Sequence, residues 1–431
     1  MTLLGRTLRQ LAPAVGALAS APLVLALFGC AVAQSGEPPY VDPGPTGGPP
    51  SDATVFLGRR ATTLNAWEPS TTAGWTLKDG VLRAPAKGKG LASQQPIGDV
   101  QIHMEFRTTA DDASTVPTVL LQGKYAVPGT TEGALLEPGP ADSAPPGDAV
   151  ILFDGSSLRQ WIHPDGRPAR WDIVDGILQC RPGTGNIISR YRFKSVQLHV
   201  EFATPYMPNA RGQGRGNSGV YVQGRYEIQV LDSYKNRTYF NGQCGALYGQ
   251  YAPLVNVCRP PKQWQTYDIL FTAPVCDDAG NVRKFARLTV LHNGVVIHDN
   301  VEVKGPTGGA LDHFVCRAGP LLLQDHGNLV QFRNIWLRNL DGNSVALAPR
   351  KAGRWQSYDI IFRAPRVDSD GTVLERGRVT LLHNGVLVRD RVPVGPQKGE
   401  RAEVTSGTLV LATGPFEYRN IWVRGIEPSK R

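Results

Sequence analysis

The segment VQIHMEF, residues 100–106, recurs with few changes as VQLHVEF at residues 196–202. In both segments apolar residues alternate with polar ones, which is the two-residue period of a strand with one buried face. A second matched pair precedes them, WTLKDGVL at residues 75–82 and WDIVDGIL at residues 171–178. The Asp-Gly dipeptide between alternating runs is typical of a β-hairpin. These stretches therefore predict the same strand order, present twice.

Further matched pairs lie downstream, but they do not follow in tandem. They are WQTYDI and WQSYDI at residues 264–269 and 355–360, LHNGV at 291–295 and 382–386, and RNIW at 333–336 and 419–422. The block order is first half, first half, second half, second half. Insertion explains this order most simply, because the ends of a domain often lie close together and exposed loops tolerate inserts.

We therefore expect a complete copy at residues 148–341, called the insert. It interrupts a degenerate copy divided between residues 53–137 and 346–427, called the split copy. Two sheets that exchange halves are the alternative. Short β-branched and aromatic runs, with turns about every 8–12 residues, predict an all-β chain in which each copy is a β-sandwich.

The composition and charge argue against one class of partner, nucleic acids. The chain has 431 residues and a formal net charge of +9, with Lys and Arg scattered along it. We interpret this as surface charge, which argues against a nucleic-acid partner.

The N-terminus has the pattern of a targeting segment. A basic start and an apolar stretch that contains Pro and Ser predict a signal peptide over residues 1–33, followed by a Pro/Gly-rich linker over residues 34–52. Either a small-x-small peptidase site ends it at Ala33, or LFGC at residues 27–30 is a lipobox that places a lipid on Cys30. We expect an exported protein that is periplasmic, extracellular or lipid-anchored, with membrane contact only through that anchor.

Five further cysteines lie in the middle of the chain, namely Cys180, Cys244, Cys258, Cys276 and Cys316. An odd number allows at most two disulfides, and Cys244–Cys258 is the pair we prefer. The spacing fits no zinc site, and no acidic loop has Ca²⁺-ligand spacing. We predict no cofactor and no metal in the site, although a structural Ca²⁺ is possible in such sandwiches.

The segment GRYEIQVLDS, residues 224–233, has polar residues where a core strand has apolar ones. Glu227 and Gln229 are two apart, so they share one face of a strand. A bulge residue at Val230 or Leu231 would bring Asp232 to the same face. Paired carboxylates serve as acid and base, or acid and nucleophile, in glycoside cleavage.

The two copies distinguish residues of the fold from residues of a site. His199 and Glu201 recur in the split copy as His103 and Glu105, which indicates a structural role. In contrast, the polar residues of the segment 224–233 are replaced, because Glu227, Gln229 and Asp232 align with Ala126, Pro128 and Thr131. The insert alone therefore carries the candidate site.

Three other stretches are special to the insert. One contains Gln324, Asp325 and His326, where a histidine can shuttle protons and an aspartate can alternatively cap a turn. We expect Gln324, like Gln229, to bind the substrate. The Gly/Arg loop at residues 211–219 supplies Arg215 and Asn217 as candidates for sugar hydroxyls, and the loop at residues 241–257 supplies Tyr248 as an aromatic platform.

With these residues in view, the insert resembles the 3-keto-disaccharide hydrolase domain family. The resemblance rests on motifs in the family's order, namely LFDG at 152–155, NSGVY at 217–221, YEIQ at 226–229, GALY at 245–248, QDHGN at 324–328 and RNIW at 333–336. It implies a concanavalin A-like lectin/glucanase jelly roll in both copies, a carbohydrate ligand, and cleavage of a glycoside oxidised at C3. The split copy resembles the family weakly.

The same strand also resembles the catalytic strand of laminarinase-type β-glucanases, which carries Glu, Asp and Glu. Here those positions are Glu227, Gln229 and Asp232, and this departure argues against ordinary retaining hydrolysis. The resemblance to the keto-sugar family implies elimination, with Glu227 or His326 as the base and Asp232 or Asp325 orienting or protonating. A non-catalytic glycan-binding protein is the alternative function.

Overall fold

A computed structural model describes residues 37–112, 114–128, 134–139, 141, 143–342, 345–402 and 407–426. The predicted signal peptide and Cys30 lie outside the described residues and stay predictions. Within the described ranges the helical elements are three 3₁₀ turns, Pro69–Thr71, Gly212–Gly214 and Phe240–Gly242. None of the helices there is long and apolar enough to cross a membrane. The all-β prediction is confirmed.

The strands are short and follow the predicted turns. The first part of the split copy contains β1 (Thr54–Leu57), β2 (Thr76–Lys78), β3 (Val81–Arg83), β4 (Leu91–Ile97), β5 (Val100–Thr108), β6 (Val119–Leu121), β7 (Tyr125–Val127) and β8 (Ala134–Leu135). The insert contains β9 (Val150–Phe153), β10 (Trp161–Ile162), β11 (Asp172–Val174), β12 (Ile177–Gln179), β13 (Ile187–Phe193), β14 (Val196–Ala203), β15 (Ser218–Val222), β16 (Tyr226–Val230), β17 (Gln265–Thr272), β18 (Val275–Cys276), β19 (Val282–Lys284), β20 (Arg287–His292), β21 (Val295–Glu302), β22 (Gly319–Leu323) and β23 (Gln331–Asn339). The chain returns to the split copy with β24 (Val345–Leu347), β25 (Gln356–Arg363), β26 (Arg366–Val367), β27 (Val373–Glu375), β28 (Gly377–His383), β29 (Val386–Val394), β30 (Gly407–Leu411) and β31 (Phe416–Gly425).

Sheet pairing shows that the split copy is assembled from both ends of the chain. Its larger sheet has the order β2-β3-β31-β5-β25-β28-β29, with β1 beside β31. The insert has the equivalent order β11-β12-β23-β14-β17-β20-β21, with β9 beside β23. No described strand of the insert pairs with a strand of the split copy, so the sheets do not exchange halves. The insertion is thereby confirmed, while the residue limits of the domains stay predictions.

A smaller sheet completes each sandwich. In the insert it has five strands in the order β10-β13-β22-β15-β16, and in the split copy four in the order β4-β30-β6-β7. Each sandwich encloses its own hydrophobic core. Two packed antiparallel sheets around one core form the β-sandwich that the strand and turn pattern predicted, and they agree with the jelly roll that the family resemblance implies.

The recurring polar residues of β14 form a structural network. His199 Nδ1 lies 2.7 Å from Asp268 Oδ1, and the His199 ring stacks on Trp336. Burial alone would lower the pKa of His199, but the carboxylates of Asp268 and Glu201 raise it to about 9. The equivalent residues of the split copy, His103, Asp359 and Trp422, repeat the arrangement.

The two sandwiches join through a pair of equivalent contacts. Gln101 Nε2 of the split copy donates to Gly294 O at 2.6 Å, and Val296 N of the insert donates to Gln101 Oε1 at 3.0 Å. Gln197 makes the same two bonds to the backbone at residues 385–387, at 2.6 and 3.0 Å. Because each glutamine engages the Asn-Gly hairpin of the other copy, the interface has approximate two-fold symmetry.

The disulfide prediction is wrong. Cys276 pairs with Cys316, whereas Cys244 and Cys258 are buried free thiols. The Cys244 sulfur lies 3.2 Å from Tyr267 Oη and so has a partner within the core. Cys276–Cys316 instead links the β18–β19 hairpin to the loop that follows β21.

We expect Gln197→Ala to destabilise the protein by about 1–3 kcal/mol, because Leu387 N would lose a buried hydrogen bond and Gly385 O a partly buried one. Urea unfolding followed by tryptophan fluorescence measures the change. Gln101→Ala should give a similar loss, and Gln95→Ala, at an exposed position, should give none. An unchanged midpoint for both interface variants would contradict the role of the two glutamines.

Candidate functional site

One row of side chains crosses the five-stranded sheet of the insert on the face directed away from the core; we call this face the site face. Neighbouring strands place Ile162 opposite Ile188, Ile188 opposite Leu322, Leu322 opposite Tyr221, and Tyr221 opposite Glu227. The alternate residues of these strands belong to the core. The row is therefore apolar except at its last two positions, a phenol and a carboxyl group.

The side chain of Glu227 lies against Gly219 of the adjacent strand, where there is room for it because glycine has no side chain. Its exposure is 3 %, and a Cβ on Gly219 of the adjacent strand would lie 2.5 Å from Glu227 Oε1. The backbone of Glu227 is bound on both sides, since its N–H donates to Thr307 Oγ1 at 2.9 Å and its carbonyl accepts from Tyr248 N at 3.1 Å. The backbone of Glu227 is therefore fixed by the loop after β21 and by the turn at Tyr248, as well as by its pairing with β15.

Burial changes the acidity of the pair. It raises the pKa of Glu227 to about 8, although a hydrogen bond from Tyr221 acts in the opposite direction. Burial and the Glu227 charge also raise the pKa of Tyr221 well above its usual value, so the phenol stays protonated. The single hydroxyl hydrogen of Tyr221 has two alternative acceptors, the Glu227 carboxyl group and Gly308 O at 3.0 Å, and the hydroxyl oxygen accepts from Gln324 Nε2 at 3.1 Å. A carboxyl group that titrates near neutrality can both take and return a proton.

Three amide side chains around this pair present free acceptors. The buried oxygens Asn217 Oδ1, Gln229 Oε1 and Gln324 Oε1 have no hydrogen-bond partner among the described residues. Their nitrogens are engaged, by Gln213 for Asn217 and Gln229, and by Tyr221 for Gln324. Carbonyl oxygens that lack donors suit a ligand rich in hydroxyl groups. These three are the sequence-predicted binding residues that the structure brings to Glu227 and its neighbours.

Asp232 and Arg215 are placed against each other. Arg215 Nε lies 3.0 Å from Asp232 Oδ2, and Tyr234 N donates to Asp232 Oδ1 at 3.2 Å. Burial raises the pKa of Asp232, and Arg215 offsets part of this effect. The register of β15 and β16 runs without a shift and β16 ends at Val230, so the bulge predicted at 230 or 231 does not interrupt the pairing. The pair links the end of the strand to the preceding loop.

Asp325 caps a turn, as the alternative interpretation of this stretch allowed. Its Oδ2 accepts from Gly185 N at 2.9 Å and its Oδ1 accepts from Gly327 N at 2.9 Å. His326 follows with an exposed imidazole that contacts no described residue through a hydrogen bond or ion pair. The loop stays near the site because Asn217 N donates to Asn328 Oδ1 at 2.9 Å.

Sequence reasoning missed Tyr221 and Tyr239. The signal for Tyr221 was available, because the Gln-Gly turn at 223–224 sets the register that places it opposite Glu227. Tyr239 had no such signal, since it lies in a loop and reaches the site by a hydroxyl contact with Tyr248.

The split copy lacks the chemistry of the site face. Its equivalent row consists of Ala92, Val410, Leu120 and Ala126. The predicted counterpart of Asp232, Thr131, lies outside the described residues. Among the described residues of the whole chain, no group of three or more His, Cys, Asp or Glu side chains could hold a metal ion.

The raised pKa of Glu227 predicts a pH-dependent gain in stability for Glu227→Gln. Below about pH 4.5 the folded and unfolded states are both protonated, so the carboxyl group has no net effect. As the pH rises towards 8 only the unfolded state ionises, and the wild type loses stability. The variant, which stays neutral, should therefore have a higher urea midpoint that grows from pH 4.5 and levels off above pH 8.

Glu201→Gln is the matched control, because it should lower the stability of the protein at neutral pH where Glu227→Gln should raise it. Burial acts to raise the pKa of Glu201, but hydrogen bonds from His199, Asn334 and Arg333 outweigh this effect and lower the pKa to about 2. The ionised Glu201 carboxylate stabilises the folded protein above pH 4.5, and this stabilisation is lost as the pH falls through 2. Glu201→Gln should therefore be less stable than the wild type at neutral pH. A lower midpoint for Glu227→Gln at pH 8.5 would contradict a buried, destabilised carboxylate.

No curated protein matches the chain. Among solved structures, a Parabacteroides distasonis protein provisionally named a glycosyl hydrolase is 38% identical over 49% of this chain and 93% of its own, with a TM-score of 0.46. A second protein of that organism with the same provisional name is 20% identical over 45% of this chain and 94% of its own, with a TM-score of 0.34.

The family comparison covers far more of the chain. The model of the 3-keto-alpha-glucoside-1,2-lyase-like domain matches residues 148–338 and again residues 340–424, which are the insert and the second part of the split copy. These matches span well over half of the sequence, so the chain is a carbohydrate-active protein that belongs to the 3-keto-alpha-glucoside-1,2-lyase-like domain family, as the resemblance predicted.

Proposed function

We propose that the insert cleaves glycosides whose sugar ring is oxidised at C3, by elimination, with Glu227 transferring the proton. The observation that carries this proposal is the Tyr221–Glu227 pair on the site face, in which burial raises the pKa of Glu227 to about 8. The family match supports the substrate class.

A C3 ketone acidifies the C2–H bond, and this makes elimination accessible to one carboxylate. Glu227 takes the C2 proton, the electron pair forms the C1–C2 double bond, and the bond from C1 to the aglycone oxygen breaks. The departing oxygen takes a proton and leaves as an alcohol. Addition of water across the double bond then completes an overall hydrolysis.

One acid–base group suffices for this reaction. Of the three acidic residues predicted for the site, Glu227 is the one that is not bound to a cation or to backbone N–H groups of the described residues. C2 and the leaving oxygen are separated only by C1, so Glu227 can return to the aglycone the proton that it took from C2. The other predicted acids are engaged, Asp232 with Arg215 and Asp325 with the backbone of Gly185. Hydrolysis by paired carboxylates requires a second free carboxylate beside the first, about 5–10 Å away.

Tyr221 is suited to stabilise the negative charge that develops on the C3 oxygen. Its protonated phenol is a neutral donor, and Gln324 Nε2 donates to the phenol oxygen, which strengthens the hydroxyl as a donor. Without substrate the hydroxyl hydrogen is shared between Gly308 O and Glu227 as alternative acceptors, and it can turn to the ketone when substrate binds. Asn217 and Gln229 supply acceptors for the sugar hydroxyl groups.

His326 is the second candidate base, because its imidazole is exposed beside the site. We assign the proton transfer to Glu227, since its backbone and side chain are both held and His326 is held by neither a hydrogen bond nor an ion pair of a described residue.

We expect Glu227→Gln to lower kcat on 3-keto-trehalose or 3-keto-sucrose by about 10²–10⁴-fold, because the amide cannot accept the C2 proton. Product formation measured by chromatography reports the rate. His326→Ala should change it less than about threefold, and the unoxidised disaccharides should not be cleaved by the wild type.

Two results would contradict the assignment. Loss of activity in His326→Ala with Glu227→Gln active would make the histidine the base. Binding of the keto-sugars without product would favour the glycan-binding alternative.

The pH profile should report the Glu227 carboxylate. Because the ionised form takes the proton, kcat/KM should rise about tenfold per pH unit below 8 and level off above it. Tyr221→Phe removes a hydrogen bond that lowers the pKa of Glu227, so its profile should shift to higher pH as well as fall in amplitude. An unshifted profile would place Tyr221 outside the proton-transfer step.

A further inference from the structure

We propose that Tyr239 and Tyr248 form an aglycone subsite that selects glycosides whose aglycone is itself a ring, either a second sugar or an aromatic group. This inference rests on the proposed function, because it assigns the two sides of the bond above Glu227. Neither the family match nor the solved relatives assign a role to these tyrosines.

Tyr248 continues the row of the site face beyond Glu227. Leu247 bridges to Ile228, both within the core, and Tyr248 N donates to Glu227 O at 3.1 Å. Tyr248 itself lies in the turn that starts at Leu247, and its ring is on the side of Tyr221 and Glu227, because it lies against Gly308, whose carbonyl is 3.0 Å from the Tyr221 hydroxyl. Its ring also approaches the loop after β21, where a Cβ on Gly308 would be 3.8 Å away.

Tyr239 is held beside it by the polar residues of the site. Its ring packs so closely on Gly242 that a Cβ there would lie 1.9 Å from a ring carbon. Gly242 O accepts from Gln213 Nε2 at 2.7 Å and from Gln229 Nε2 at 3.2 Å. The Tyr239 hydroxyl contacts that of Tyr248, and the ring centroids are 6.2 Å apart at 70°. Tyr239 nevertheless stays 46 % exposed, as a ligand-facing ring requires.

The order along the row decides which ring binds where. Neighbouring strands are about 4.8 Å apart, so a disaccharide of roughly 10 Å covers two strand intervals, from Tyr221 to Tyr248, with its bond above Glu227. The free acceptor of Gln324 lies at the end of β22, and that of Asn217 lies just before β15, both on the Leu322 side. The keto-sugar, which needs its hydroxyl groups fixed, fits that side. The aglycone fits the tyrosines.

An aromatic subsite suits a leaving group. Tyrosine rings offer a flat apolar surface to the C–H face of a sugar or to another ring, with little orientation by hydrogen bonds. A ring can therefore bind before cleavage and leave afterwards. A methyl aglycone does not extend far enough to contact Tyr239.

The test compares three substrates with Tyr239→Leu and Tyr239→Phe in the full chain. The substrates are a 3-keto-disaccharide, phenyl 3-keto-glucoside and methyl 3-keto-glucoside. Tyr239→Leu should lower kcat/KM about tenfold on the first two and less than twofold on the third, and Tyr239→Phe should restore most of the loss. Tyr206→Leu is the matched control, since Tyr206 is 62 % exposed and lies over Lys262.

Equal losses on all three substrates, or no loss on any, would overturn the subsite. If the wild type cleaves none of them, the proposed function fails and the subsite is judged by calorimetric binding instead. In that case phenyl glucoside should bind the wild type more tightly than methyl glucoside, and Tyr239→Leu should abolish the difference. A wild type without this preference would also overturn the subsite.

Discussion

The desolvation of one carboxyl group is the constraint on which the site depends. Glu227 fits only because Gly219 has no side chain, and its burial raises the pKa of the carboxyl to about 8. Such a group destabilises the folded protein when it ionises, so the surrounding sandwich must supply the stability. The two cores and the extensive strand pairing do so. The same burial makes the phenol of Tyr221 a permanent donor, and this gives the pair complementary roles.

Duplication within one chain separates the needs of the fold from those of the site. Both copies keep the His–Asp pair stacked on a tryptophan, at His199 and at His103. Only the insert keeps a polar pair on the smaller sheet, where the split copy has Leu120 and Ala126. The split copy contributes instead through the interface, where Gln101 and Gln197 each bind the opposite hairpin. A copy that lost its polar face can thus retain a structural role.

Several candidate residues proved to be partners of one another or of the backbone. Asp232 binds Arg215, and Asp325 caps the turn that joins it to Gly185. A carboxylate in a glycine-rich loop can satisfy backbone N–H groups as readily as it can serve catalysis, and residue type alone does not distinguish these uses. The contacts distinguish them, because no cation among the described residues pairs with Glu227, and burial raises the pKa of this acid to about 8.

The sequence alone determined the features that arise from local pattern. Alternation and the Asp-Gly and Asn-Gly turns predicted the strands, the order of the repeats predicted the insertion, and the two-residue period put Glu227 and Gln229 on one face. What only the tertiary structure decided depends on contacts between distant segments. These are the pairing of Cys276 with Cys316, the meeting of Tyr239 with Tyr248, and the burial that sets the pKa of Glu227. Such contacts follow from how sheets and loops pack against each other, and no local period of the sequence encodes that packing.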